Sequence, residues 1–114
     1  MKTIVQHYLT AALWSSLDDN GDTLDSTYSV EDFSPELIAR AEKDCAEFEE
    51  KAGLVLLEWQ SDEQNGHDFW LTRNHHGAGF WDRGLGKPGD MLTEIAESFG
   101  EICIYVGDDG RLYA

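Results

Sequence analysis

Gly66-His67-Asp68-Phe69-Trp70-Leu71-Thr72-Arg73-Asn74-His75-His76-Gly77-Ala78-Gly79-Phe80-Trp81-Asp82-Arg83 holds two of the chain's four tryptophans, three of its four histidines and two of its eight basic residues. Two aromatic-bearing runs flank Asn74-His75-His76-Gly77. Asn and Gly accept the positive φ of a tight hairpin, so this arrangement predicts strands over 68–73 and 78–82 joined by a polar tip.

On the N-terminal side the pattern is helical. Ile4, Tyr8, Leu9, Ala12, Leu13 and Leu17 recur every three to four residues, with Trp14 at the edge of the stripe. That spacing predicts a first helix from 3 to about 17, stopped by Asp18-Asp19-Asn20-Gly21-Asp22. An acidic loop follows, with Tyr28, Val30 and Phe33 expected to anchor it. Ser34 then offers an N-cap, Pro35 suits the first helical position, and Glu36 complements the helix dipole. Leu37, Ile38, Ala41, Cys45, Phe48 and Ala52 form the buried stripe of this second helix. Gly53 marks an end or a kink. Leu54-Val55-Leu56-Leu57-Glu58-Trp59 reads as a further helical turn or a short strand, and its place after a long helix favours the helix.

On the C-terminal side, Gly84-Leu85-Gly86-Lys87-Pro88-Gly89 leads to Asp90, an N-cap for a third helix that buries Leu92, Ile95, Ala96 and Phe99 and stops at Gly100. Ile102-Cys103-Ile104-Tyr105-Val106 is the strongest strand signal. Gly107-Asp108-Asp109-Gly110 turns it into Arg111-Leu112-Tyr113. The resulting order ααββαββ predicts an α+β fold in one domain, 1–114. In it, a small antiparallel sheet of about four strands carries the N-terminal helices and one inserted helix.

Composition narrows the function. With 41% apolar residues the chain can bury a core, yet its formal net charge is −15. Such a field disfavours bare nucleic acid or an anionic membrane as partner and favours a basic surface. Met1-Lys2 leads into a mixed helix rather than a secretory leader, and no apolar run approaches the roughly 20 residues of a membrane span, so a cytosolic protein is expected. Cys45 and Cys103 read as small buried thiols, with no Cys-x-x-Cys to suggest zinc.

Three constellations invite chemistry, and each has a plainer reading. Asp18-Asp19-Asn20-Gly21-Asp22-Thr23-Leu24-Asp25 begins like a calcium loop, but Thr23 and Ser29 stand where the turn glycine and the bidentate glutamate are required. A solvated acidic loop fits better. Gly84-x-Gly86-x-x-Gly89 matches dinucleotide-binding spacing, but Pro88 removes a donor and Asp90 would repel a pyrophosphate. The chain also lacks room for the surrounding doubly wound sheet. His67, His75 and His76 with Asp68 and Asp82 could form a metal-dependent hydrolase at the hairpin tip, yet adjacent histidines diverge and no helical His pair shares a face. No metal or other cofactor is expected. Nor is there a nucleophile elbow, a P-loop or a redox cysteine pair, so a non-enzymatic protein is expected.

The charge is polarised. Residues 18–63 carry fifteen acids against three bases. Carboxylates at a few Å spacing can imitate a phosphate backbone to a protein built to bind one. The candidate partner-binding set is Asp18, Asp19, Asp22, Asp25, Glu42, Glu47, Glu49 and Glu50. A rival set on the aromatic hairpin (Trp70, Arg73, Asn74, His75, His76, Trp81 and Asp82) would bind a small ligand or a single strand by stacking.

His67-Asp68-Phe69-Trp70-Leu71-Thr72-Arg73-Asn74 and His76-Gly77-Ala78-Gly79-Phe80-Trp81-Asp82 carry a resemblance. Leu13-Trp14-Ser15-Ser16, Leu24-Asp25-Ser26-x-Tyr28-Ser29 and Tyr105-Val106-Gly107-Asp108-Asp109-Gly110 extend it over nearly the whole chain. Together they resemble a family of small acidic proteins of tailed bacteriophages and prophages. Members often have Gly between the Asn and His of the turn, where this chain has His75. The resemblance implies a phage accessory protein of the host bacterial cytoplasm, with a counter-defence or host take-over role and no catalytic residues to carry over. The expected partner is a basic surface on a nucleic-acid-handling protein.

Overall fold

The computed structural model describes residues 1–77 and 79–114. Four helices carry the fold: α1 (Thr3–Ser15), α2 (Pro35–Leu57), α3 (Asp62–Arg73) and α4 (Lys87–Glu97). Short 3-10 turns occupy Leu24–Ser26, Val30–Asp32 and Phe80–Asp82. Two strands, β1 (Tyr105–Val106) and β2 (Leu112–Tyr113), pair antiparallel with Tyr105 opposite Tyr113 and Val106 opposite Leu112. The expected α+β fold with a sheet of about four strands does not form. The molecule is mostly helical, and its two-stranded ribbon is a peripheral clasp.

Residues 68–73 are helical, not extended. This segment is the C-terminal half of α3, begun by Ser61, whose side chain accepts from Gln64 N, and by Asp62 and Glu63 in the first turn. Every residue from Asp68 to Arg73 is buried. A helix enclosed on all sides shows no apolar stripe, so Phe69-Trp70-Leu71 in a row reads falsely as strand. Asn74-His75-His76 terminates the helix rather than turning a hairpin. His75 N–H donates to Thr72 O at 3.1 Å and His76 N–H to Leu71 O at 2.9 Å. That crossed pair is a Schellman motif, with His75 at φ 52° in the left-handed position that glycine favours. Of the second expected strand, 80–82 is a 3-10 turn, and Ala78 lies outside the described residues.

α3 is central because its neighbours come close. A Cβ on Gly66 would overlap the carbonyl oxygen of Ile4, so glycine lets the backbones of α3 and α1 meet. Phe69 is the hub of the aromatic core. It stacks on Phe48 of α2 at 4.3 Å, meets Tyr8 of α1 at 5.2 Å, and receives Phe99 edge-on at 5.0 Å.

Other elements follow the sequence reading more closely. α2 opens on Ser34, whose hydroxyl accepts from Leu37 N, with Pro35 at the first position. It runs through a break at Gly53 to Leu57, as the helical reading of 54–59 expects. α4 starts three residues earlier than Asp90, at Lys87. Phe33 is buried and Tyr28 half-buried, but Val30 is exposed. Of the two thiols, Cys45 is buried and Cys103 exposed, Cys103 lying on the outward side of an alternation that buries Ile102 and Ile104; of the expected 102–106 strand only Tyr105–Val106 is paired. Ser34 N–H donates to Leu112 O, and Phe33 bridges Leu112, so the terminal ribbon closes over the start of α2.

Candidate functional site

The polar residues that single out 67–83 in the sequence are largely engaged in holding the helices together. Asp68, fully buried, receives Arg83 through Nε at 3.0 Å and Nη2 at 2.8 Å. Gln60 and Gln64 donate to it at 3.0 and 2.8 Å, and His67 Nδ1 lies 2.9 Å away. Burial pushes the Asp68 carboxyl up, but the hydrogen bonds from Arg83, His67 and the two glutamines outweigh it and hold its pKa below the ordinary carboxylate value.

Arg73 is a second hub, 1% exposed. Its guanidinium donates to Asp44 Oδ2 at 2.8 Å, Tyr8 Oη at 3.0 Å, Gly100 O at 2.9 Å and Phe99 O at 3.2 Å. One side chain thus ties α1, α2 and the end of α4 to α3. Burial raises the Tyr8 hydroxyl pKa and outweighs the lowering pull of the Arg73 charge, so the hydroxyl stays neutral beside Arg73. Trp70 Nε1 donates to Ser15 Oγ at 2.8 Å, and Thr72 Oγ1 accepts from Phe80 N. Asn74 accepts from Ile102 N at 2.9 Å, pinning the chain beyond α4.

The rival ligand set is therefore dispersed. Arg73 is sealed in the core. Trp81 and Asp82 are exposed on the 3-10 turn, and His75 faces Glu97 at 3.3 Å. Trp70, Asn74 and His76 do meet, on a cleft of about 300 Å³ closed by Ser15, Glu101 and Cys103. Trp70, at 3% exposure, presents no ring face for stacking. Trp14 instead lies over His67 at 5.5 Å and edge-on to His76 at 6.3 Å. Among the described residues no three His, Cys, Asp or Glu side chains gather as a metal site requires. A hairpin tip on which to build the metal-dependent hydrolase does not exist. Nothing local in the sequence places Ser15, Glu101 and Cys103 beside these residues, because the contacts span dozens of positions.

The acidic set divides by workload. Asp18 accepts from the N–H groups of Asn20 and Asp22, closing its own loop, and Asp25 accepts from Thr23 Oγ1. Glu49 pairs with Lys2 at 2.8 Å, and Glu47 is half-buried. Asp19, Asp22, Asp25, Glu42 and Glu50 are exposed. Arg40 and Lys43 share the exposed side of α2, so its carboxylates flank two cations rather than forming an unbroken row. Asp44, absent from the candidate set, is committed to Arg73.

No family model, curated protein or solved structure matches the chain. No helix among the described residues is long and apolar enough to cross a membrane.

Proposed function

We propose that this chain is a non-enzymatic binding protein whose carboxylates engage the basic surface of a nucleic-acid-handling protein, as a phage accessory factor in the bacterial cytoplasm. The observation that carries this reading is charge density. Fifteen net negative charges along a long axis of 42 Å amount to one per about 2.8 Å. Duplex DNA carries one per about 1.7 Å and a single strand one per about 3.4 Å. The chain lies between them. Within the candidate set, Asp19, Asp22, Asp25, Glu42 and Glu50 are exposed and contribute to that field.

Attraction of this kind is screened over about 8 Å at physiological salt. A partner recovered from bacterial lysate is expected to weaken its hold steeply between about 50 and 200 mM salt and to be displaced by duplex DNA. Reversing Glu42, Glu47 and Glu50 to Lys is expected to abolish capture while the far-ultraviolet circular dichroism stays unchanged. Capture that ignores both salt and the reversals, with tryptophan fluorescence that responds to added nucleotides, would move the function to the cleft beside His76.

A further inference from the structure

The end of α2 exposes more apolar surface than its surroundings explain. Leu54 is 76% exposed, Val55 77% and Trp59 54%. They follow Gly53, whose φ of 78° and ψ of 160° occupy a region open essentially to glycine alone. Past that break Leu56 and Leu57 rest partly on the core while Leu54 and Val55 stand in solvent. Val55, Glu58 and Trp59 border a shallow concavity of about 340 Å³. Grouped large apolar side chains ringed by polar ones mark an interaction surface.

Acids outnumber bases in the chain flanking this tip, where Lys51 is an exposed base and Lys2 is close enough to Asp62 to feel its charge. Glu50, Glu58, Asp62 and Glu63 are all exposed. The Lys51 ammonium is engaged 4.7 Å from the centre of the Phe99 ring. A second copy of the chain would bring the same acids and another net charge of −15 to the contact. An anionic lipid surface would be repelled in the same way. The surface suits apolar side chains interspersed with lysine or arginine.

We propose that Leu54, Val55 and Trp59 anchor a cationic amphipathic helix of a protein partner, with Glu50, Glu58, Asp62 and Glu63 meeting its basic residues. The proposal rests on the acidic-face reading and adds a contact to it. Carboxylates draw the partner in over a distance, and the apolar tip holds it at short range.

The test uses the full chain and a synthetic amphipathic helix of leucine and lysine, with a lysine–glycine peptide of equal charge as control. In the double variant L54S/V55S both replaced side chains stand more than three-quarters exposed, so the fold should survive, as circular dichroism would report. Affinity for the leucine–lysine helix is expected to fall about tenfold or more in L54S/V55S, while binding of the lysine–glycine control is unchanged. The Trp59 indole resonance should move on binding in the wild type. Unchanged affinity in L54S/V55S overturns the anchor. If E42K/E47K/E50K still abolishes capture of the lysate partner in that case, the acidic-face reading stands without it. If the reversals also have no effect, both readings fall. A wild-type dimer, or retention on phosphatidylserine vesicles, that L54S/V55S removes would assign the tip to a second copy or a membrane and likewise overturn the proposal.

Discussion

Asp68 is the side chain on which the most unlike groups converge: a guanidinium, an imidazole and two amides around a carboxylate with no exposure. Its pKa is held below the ordinary value, so it contributes stability above the unfolded carboxylate pKa, about 3.9, that is lost as pH falls through the lower folded value. Asp68→Asn keeps the shape and removes the charge. Breaking a buried pair costs about 3–5 kcal/mol, but Arg83 is 29% exposed and can regain water, so a loss of about 2–3 kcal/mol is expected. Urea denaturation at neutral pH and again at a pH below the lowered folded value, well under the unfolded value of about 3.9, checks both halves. The gap between wild type and variant should be wide at neutral pH and close in acid, whereas a gap that persists in acid would mean shape, not charge, holds the site. The motif's residue types (acid, Trp, Thr, Arg, Asn in one run) are conspicuous in the sequence, but their duties are not. Each of them has a partner outside the run, such as Ser15 for Trp70 or Asp44 for Arg73.

At the scale of elements, the decisive feature is how α3 ends. The Schellman pair from His75 and His76 back to Thr72 and Leu71 requires a left-handed residue, and a histidine occupies it. An L side chain in that conformation costs about 1–2 kcal/mol, part of which glycine gives back as lost unfolded-state freedom. His75→Gly is therefore expected to stabilise the fold by about 0.5–1 kcal/mol, read as a higher urea midpoint at unchanged slope. A destabilised variant would show that the contacts of His75 with Glu97 and Glu101 outweigh the backbone strain. The same Asn-His-His-Gly string serves a hairpin or a helix stop, because both need positive φ. Which one forms depends on the residues before it. Here the Ser61 cap and the buried Gly66 favour a helix over the strand propensity of Phe69, Trp70 and Thr72.

Across the whole molecule, charge acts in two opposing ways. Exposed carboxylates repel one another through solvent, while Arg73–Asp44 and Arg83–Asp68 attract at 2.8 Å in surroundings that salt reaches poorly. Added sodium chloride should screen the repulsion and spare the pairs, so the urea midpoint is expected to rise from about 10 mM to 1 M salt, as the Debye length shrinks from about 30 to 3 Å. A midpoint that falls would place more stability in exposed pairs such as Lys2–Glu49 than in the buried ones.

What is local or additive can be read along the chain. The net charge, the capped start of α2 at Ser34, the glycine-flanked turn of the last two strands and the apolar stripe from Leu37 to Ala52 are of this kind. Those features rest on neighbouring residues, caps and periodicity, which a one-dimensional pattern records. Long-range packing settled that 68–73 is an enclosed helix and that Arg73 lies inside rather than facing a ligand. Burial from all sides is the cause. Once α1, α2 and α4 surround α3, its polar groups find partners far along the chain, and the two-sided patterning that would have betrayed a helix is erased.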